Sequence, residues 1–327
     1  MAIKNDFVLF FMRVEVGNCG TELMTGLRPN WLRKTSWKSF AKNVTDFDDG
    51  TSRSPQSGQA WEMAGEMERS VALHPGRICP ASPPMIDVSD FSKRYGEFTA
   101  VSELSFTVQP GEVMGLVGPN GAGKTTTLRC AAGIIPSTLG RVHIGGTDLA
   151  ADPVGAKRKL AFFPDEPRLF DYLTVRQHLA FVARIYGVAD HEPRAEALLA
   201  ELELTEKADE LPNALSRGMK QKLAIACGLL HSPQVMFFDE PLTGLDPLGI
   251  RRMKDTIKRL SSEGAAIILS SHLLSLLEEV CTHVLIMKKG KKIAIGTLPE
   301  VVAQFSNGEP NVSLEEVFIR ATGGSEN

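Results

Sequence analysis

Unbroken apolar runs alternate along this chain with segments of helical period. Val113–Val117, Val235–Phe238 and Ala265–Leu269 each read as a short strand, and Val235-Met236-Phe237-Phe238 reads as a buried strand of a parallel sheet. Met85–Val88 and Thr99–Val108 read as strands of another kind. In the second, Leu104, Phe106 and Val108 alternate with Ser105 and Thr107, the period of a strand with one buried face, although its first half is less regular and leaves its start open. Gly111 then turns the chain into Val113–Val117. Val175, Leu179, Val182 and Tyr186 recur at helical spacing, behind a Thr174 cap that Gln177 completes as a capping box and ahead of a stop at Gly187. A second helix is expected from near Asp190 through Leu202, and a third, capped by Ser216, through Leu230. His283–Met287 and Lys291–Ile295 read as a hairpin about Gly290.

The chemistry sits where these apolar runs end. Val113–Val117 leads into Gly118-Pro119-Asn120-Gly121-Ala122-Gly123-Lys124-Thr125, followed by Thr126 and a predicted helix. This is a complete phosphate-binding loop: its glycines let backbone N–H groups turn inward around phosphate oxygens, Lys124 reaches the β and γ phosphates, and the Thr125 hydroxyl suits a magnesium ion. A nucleoside triphosphate is therefore the expected ligand, although kinases, GTPases and many motors share the loop. Val235–Phe238 ends in Asp239-Glu240, at the strand end where ligands collect in open α/β sheets. Asp239 is the expected magnesium partner and Glu240 a base able to polarise water, provided its side chain points the right way. A solvated acidic turn is the alternative for this pair taken alone. His272 follows Ala265–Leu269 in the same manner, and an uninvolved histidine opening a helix is its alternative.

Leu215-Ser216-Arg217-Gly218-Met219-Lys220-Gln221 resembles the signature sequence of ATP-binding cassette (ABC) proteins, and the other motifs of that family follow in order. The resemblance covers about residues 85–323 and implies a P-loop NTPase fold of ABC ATPase type, α/β, with a helical subdomain at about 167–214 and an antiparallel β subdomain. It implies that Tyr95 stacks on adenine and that Ser216 and Gly218 touch ATP held by the opposite subunit. In Gly244-Leu245-Asp246-Pro247, Asp246 is then the inter-subunit aspartate, while Glu240 and His272 act in catalysis. Leu160-Ala161-Phe162-Phe163-Pro164-Asp165 departs from the family at its last position, where glutamine is usual; Asp165 can still ligate magnesium through oxygen, with a shorter reach. The ending Ser313–Phe318, after the polar stretch Ser306–Pro310, resembles that of ATPases from bacterial ABC-2-type exporters, and a short amphipathic helix packed on the core accounts for it equally well. The implied partners are ABC-2-type transmembrane permease subunits and a second cassette, an identical chain, with ATP and Mg2+ as cofactors and a place at the cytoplasmic face of the cell membrane. A soluble cassette acting on a ribosome or nucleic-acid complex, or a regulatory module, is the alternative.

Composition narrows this further. The 327 residues carry 36 basic and 39 acidic side chains, a formal charge of −3 that gives no polycationic case for nucleic acid. Cys19, Cys79, Cys130, Cys227 and Cys281 are too scattered for a zinc cluster and fit a reducing compartment. No apolar run approaches the ~18 residues of a spanning helix. Residues 1–84 carry no family motif and read as a flexible extension or a start-site artefact, residues 85–305 as the nucleotide-binding domain, and residues 306–327 as a linker and short helix.

Overall fold

The computed structural model describes residues 83–306, 309 and 312–323. Apart from Pro83 and Pro84, the extension expected over residues 1–84 lies outside the described residues, as do Cys19, Cys79 and most of the Ser306–Pro310 stretch.

Two sheets carry the fold. The first is antiparallel, in the order β2-β1-β4-β5, built from β1 (Ile86–Tyr95), β2 (Phe98–Val108), β4 (Leu139–Ile144) and β5 (Thr147–Asp148). Strand β1 runs far beyond the predicted Val88, because the register slips between Val88 and Phe91 around Asp90 at φ +50° and resets the alternation. Glu103, at φ +51°, does the same to β2 and accounts for its irregular first half.

The second sheet has six strands in the order β10-β9-β3-β8-β7-β6. Strands β3 (Val113–Val117), β6 (Leu160–Phe163), β7 (Val235–Asp239), β8 (Ala266–Ser270) and β9 (His283–Lys288) are parallel, and β10 (Lys291–Thr297) closes the sheet as the antiparallel arm of the expected hairpin. Every residue of β3, β6, β7 and β8 is buried, which is why these segments show no alternation. Parallel pairing puts their C-terminal ends on one edge, where the phosphate loop, Asp165, Asp239-Glu240 and His272 all emerge.

Helix α1 (Lys124–Ala131) follows the phosphate loop, and α2 (Pro153–Arg158) precedes β6. The insert holds α3 (Val175–Tyr186) and α4 (Glu192–Glu201) and leads into α5 (Arg217–Leu229). The Thr174–Gln177 capping box and the left-handed Gly187 cap of α3 are both formed. Beyond these come α6 (Pro247–Ser262), α7 (Leu274–Val280), α8 (Leu298–Phe305) and α9 (Leu314–Thr322), the last opened by a Ser313–Glu316 capping box and buried through Leu314 and Val317. Cys130, Cys227 and Cys281 are buried free thiols whose burial pushes their pKa upward.

Candidate nucleotide site

The phosphate loop needs its glycines for three separate reasons. A Cβ on Gly118 would lie 2.5 Å from the Met287 carbonyl oxygen, Gly121 sits at φ +77°, and Gly123 combines φ +100° with a Cβ position 2.7 Å from the Ala100 carbonyl oxygen. Gly123 is also the N-cap of α1 and brings no side chain to it, so first-turn N–H groups stay available to an anion. Lys124 Nζ folds over the same loop, donating to the carbonyl oxygens of Gly118 at 2.5 Å and Pro119 at 3.4 Å. Burial lowers its pKa, while Glu240 and Asp239 act to hold the charge.

Asp239, at the end of β7, is 4% exposed. Its Oδ1 accepts from Thr125 Oγ1 at 3.2 Å and from Ser270 Oγ at 2.9 Å. Burial nevertheless raises its pKa, against the lowering effect of the two hydroxyl donors. A buried carboxylate touching a hydroxyl fits a hard divalent cation. Among the described residues no group of three or more His, Cys, Asp or Glu could hold a metal alone.

Glu240 sits at φ +53° just past β7, where its N–H donates across to the Ser270 carbonyl of β8 at 3.0 Å. Its Oε2 accepts from the His272 backbone N–H at 3.3 Å and from His272 Nδ1 at 2.7 Å. Since a carboxylate only accepts, Nδ1 carries the proton. The two residues thus meet from adjacent strand ends.

The structure therefore joins Lys124, Thr125, Asp239, Glu240 and His272, and it adds Ser270. Sequence reasoning passed over Ser270, because its place as the β8 register partner of Asp239 follows from strand order and leaves no local signal. Among the described residues no hydrogen bond or ion pair joins Tyr95, Ser216, Gly218 or Asp246 to that group. Tyr95 ends β1 and is 42% exposed, with Lys93 Nζ 4.9 Å from its ring centroid. Ser216 and Asp246 cap α5 and α6 through the N–H groups of Met219 and Gly249. Gly218 lies against Gly244, a Cβ there being 3.1 Å from the Gly244 carbonyl oxygen. Asp165 pairs with Arg217. A cavity of about 630 Å³ contains none of these residues; it lies at the N-terminal ends of β7 and β8, bordered by Arg194, Glu201, Gln234 and Arg259.

Residues 101–243 match the family model described as ABC transporter. Over 240 residues the chain is 33% identical to the ABC-type transporter ATP-binding protein EcsA of Bacillus subtilis, covering 73% of this chain and 96% of that one. The chain belongs to the ABC transporter family of ATP-binding proteins. A second relative of this cassette is the Nod factor export ATP-binding protein I of Burkholderia thailandensis, 39% identical over 213 residues that make up 64% of this chain and 70% of the other. Among solved structures, one described as the ATP binding subunit of an ABC transporter superposes with a TM-score of 0.69 at 35% identity, over 72% of this chain and 99% of that one. A nucleotide-free ATP-binding cassette, 22% identical with a TM-score of 0.61, shares the fold. The cassette has no helix among its described residues long and apolar enough to cross a membrane.

Proposed function

We propose that this cassette hydrolyses ATP to power export through separate membrane-spanning subunits of ABC-2 type, bound at the cytoplasmic face of the membrane and paired with a second, identical chain. The observation that carries the hydrolytic half is the Glu240–His272 pair beside Lys124 and Asp239. The phosphate loop, Gly118 to Thr126, binds the triphosphate, Lys124 exchanges its contacts with the loop carbonyls for β and γ phosphate oxygens, and Tyr95 stacks on adenine. Thr125 and Asp239 would hold magnesium, with Asp165 as a further oxygen ligand; when bound, the ion neutralises charge on the β and γ phosphates. Glu240 takes a proton from the attacking water as its oxygen bonds to the γ phosphorus and the bond to the β–γ bridging oxygen breaks. His272 keeps the Glu240 carboxylate aimed through Nδ1–H and, as imidazolium with both ring nitrogens donating, turns Nε2–H to a γ-phosphate oxygen.

Ser216, Gly218 and Asp246 stand apart from this cluster, which suits a role against ATP held by the other cassette. ATP then joins two chains, and loss of the γ phosphate weakens the joint. Export is supported by relatives whose names carry it and by the Ser313–Phe318 ending.

The decisive variant is Glu240→Gln. Phosphate release should fall by about 10²- to 10⁴-fold, the contribution of a positioned base, while ATP-dependent dimerisation measured by sedimentation persists. Undiminished turnover would remove Glu240 from catalysis. Co-purification with a multi-spanning membrane protein tests the transport half, and a stable complex with ribosomes instead would count against it. Deleting residues 1–84 and assaying ATPase activity with that partner tests the extension.

A further inference from the structure

Helix α5 grips the loop after β6 at two points on one face. Arg217 Nη2 lies 3.3 Å from Asp165 Oδ1, and Gln221, one turn further on, donates from Nε2 to the Pro164 carbonyl oxygen at 3.3 Å. The ion pair is half exposed, whereas Gln221 is 2% exposed and its Oε1 is buried without a partner. The rest of the helix is pressed onto the same strand: a Cβ on Gly228 would lie 2.3 Å from Phe163 Cε1, and Phe163 stacks on Phe238, its ring centroid 4.4 Å away, next to Asp239. Arg217 makes one more contact. Its stem crosses Gly244, held at φ +83°, where a Cβ would come within 3.0 Å of Arg217 Cδ. A guanidinium in the first turn of a helix is opposed by the helix dipole, and that turn contains no acidic residue to offset it. The partner that does so is Asp165, on another element.

We propose that Arg217 is a positioning residue of the shared ATP site. One side chain ties Ser216–Gly218 to Asp165 on one flank and lies against Gly244, two residues before Asp246, on the other, so the surfaces offered to the second cassette move with the strand end facing the first ATP. This rests on the two-cassette reading above. The pair occupies Oδ1 of Asp165 and leaves Oδ2 outside it, so a magnesium role for Asp165 is compatible with it.

The test is a double-mutant cycle on the full chain carrying Glu240→Gln, reading the dimer Kd at saturating ATP by sedimentation. Arg217→Gln and Asp165→Asn should each weaken dimerisation about two- to fivefold, the range open to an exposed ion pair, and the two together should do no worse than either. Arg217→Lys should recover part of the loss. Independent, multiplying effects, or an unchanged dimer in Arg217→Gln, would overturn the proposal. If the parent chain forms no ATP-dependent dimer, the two-cassette reading fails by itself. Amide exchange at Arg217–Lys220 in the monomer then decides the positioning: faster exchange in both single variants supports it, and protection unchanged in both overturns it.

Discussion

At Gly123 two costs fall on one residue, a left-handed backbone and a carbonyl oxygen 2.7 Å from where a Cβ would stand. Gly121 has the first cost alone, since nothing lies within 4 Å of its Cβ position. Gly121→Ala should therefore weaken ATP binding through strain of about 1 kcal/mol, and Gly123→Ala should abolish it, with displacement of the Ala100 strand segment. Nucleotide titration of both variants checks the order, and equal losses would mean that the Ala100 contact is unimportant. Residues of this kind were legible in the sequence, because the chemistry gathers after apolar runs: Asp239-Glu240 ends one directly, His272 stands just beyond another, and Lys124-Thr125 closes the glycine loop that follows a third. Ser270, and the Arg217 and Gln221 contacts with Pro164–Asp165, were not legible. They depend on which strands are neighbours and how a helix is rolled, and no local period encodes either.

Among the elements, α5 and α3 fail in different ways. Gly228→Ala would raise the helix propensity of α5 by up to about 1 kcal/mol, but the added methyl meets a phenyl ring already stacked on Phe238. Overpacking of a buried site costs about 1–3 kcal/mol, and with Phe163 held from both sides the larger cost wins, so the denaturation midpoint should drop. Helix α3 depends on its start: Thr174 accepts from the Gln177 N–H and Gln177 returns a bond to the Thr174 N–H. Thr174→Ala should cost about 1 kcal/mol, read by chemical denaturation. That box was visible in the sequence because it is local, whereas the true length of β1 was hidden by a bulge that breaks the alternation. The paired sheets show the same division, since the all-buried strands declared themselves as runs but their order in the sheet did not.

For the whole molecule, the insert and the parallel core are locked by neutral histidines, and this makes acid the expected weak direction. His178 donates from Nδ1 to the Thr174 carbonyl at 2.8 Å and accepts from the Phe170 N–H at Nε2 at 3.0 Å, an arrangement only the neutral ring can make. His231 stacks on Tyr186 with centroids 3.8 Å apart and sets Nε2 3.3 Å from the Leu160 carbonyl. Burial pushes both down from 6.5 to about 4. The unfolded chain therefore binds more protons between these values, so the stability these residues confer is complete above about pH 6.5 and drains away as pH falls towards 4. A shift of this size is worth about 3 kcal/mol per histidine at most, a large share of the ~5–15 kcal/mol of a typical domain. Asp239 works the other way, since its raised pKa relieves strain on acidification, but it is one group against two. Asp148, Glu203, Glu279 and Glu300, held low by hydrogen bonds, add their losses only below the ordinary carboxylate range. Guanidinium melts should show the midpoint falling steadily from pH 6.5 to 4.5, and His178→Gln should be less stable at pH 7 with a flatter slope across that window. A midpoint level from pH 7 to 5 in the parent chain would mean that the folded chain takes up protons at these histidines as readily as the unfolded one, and that burial does not hold them neutral.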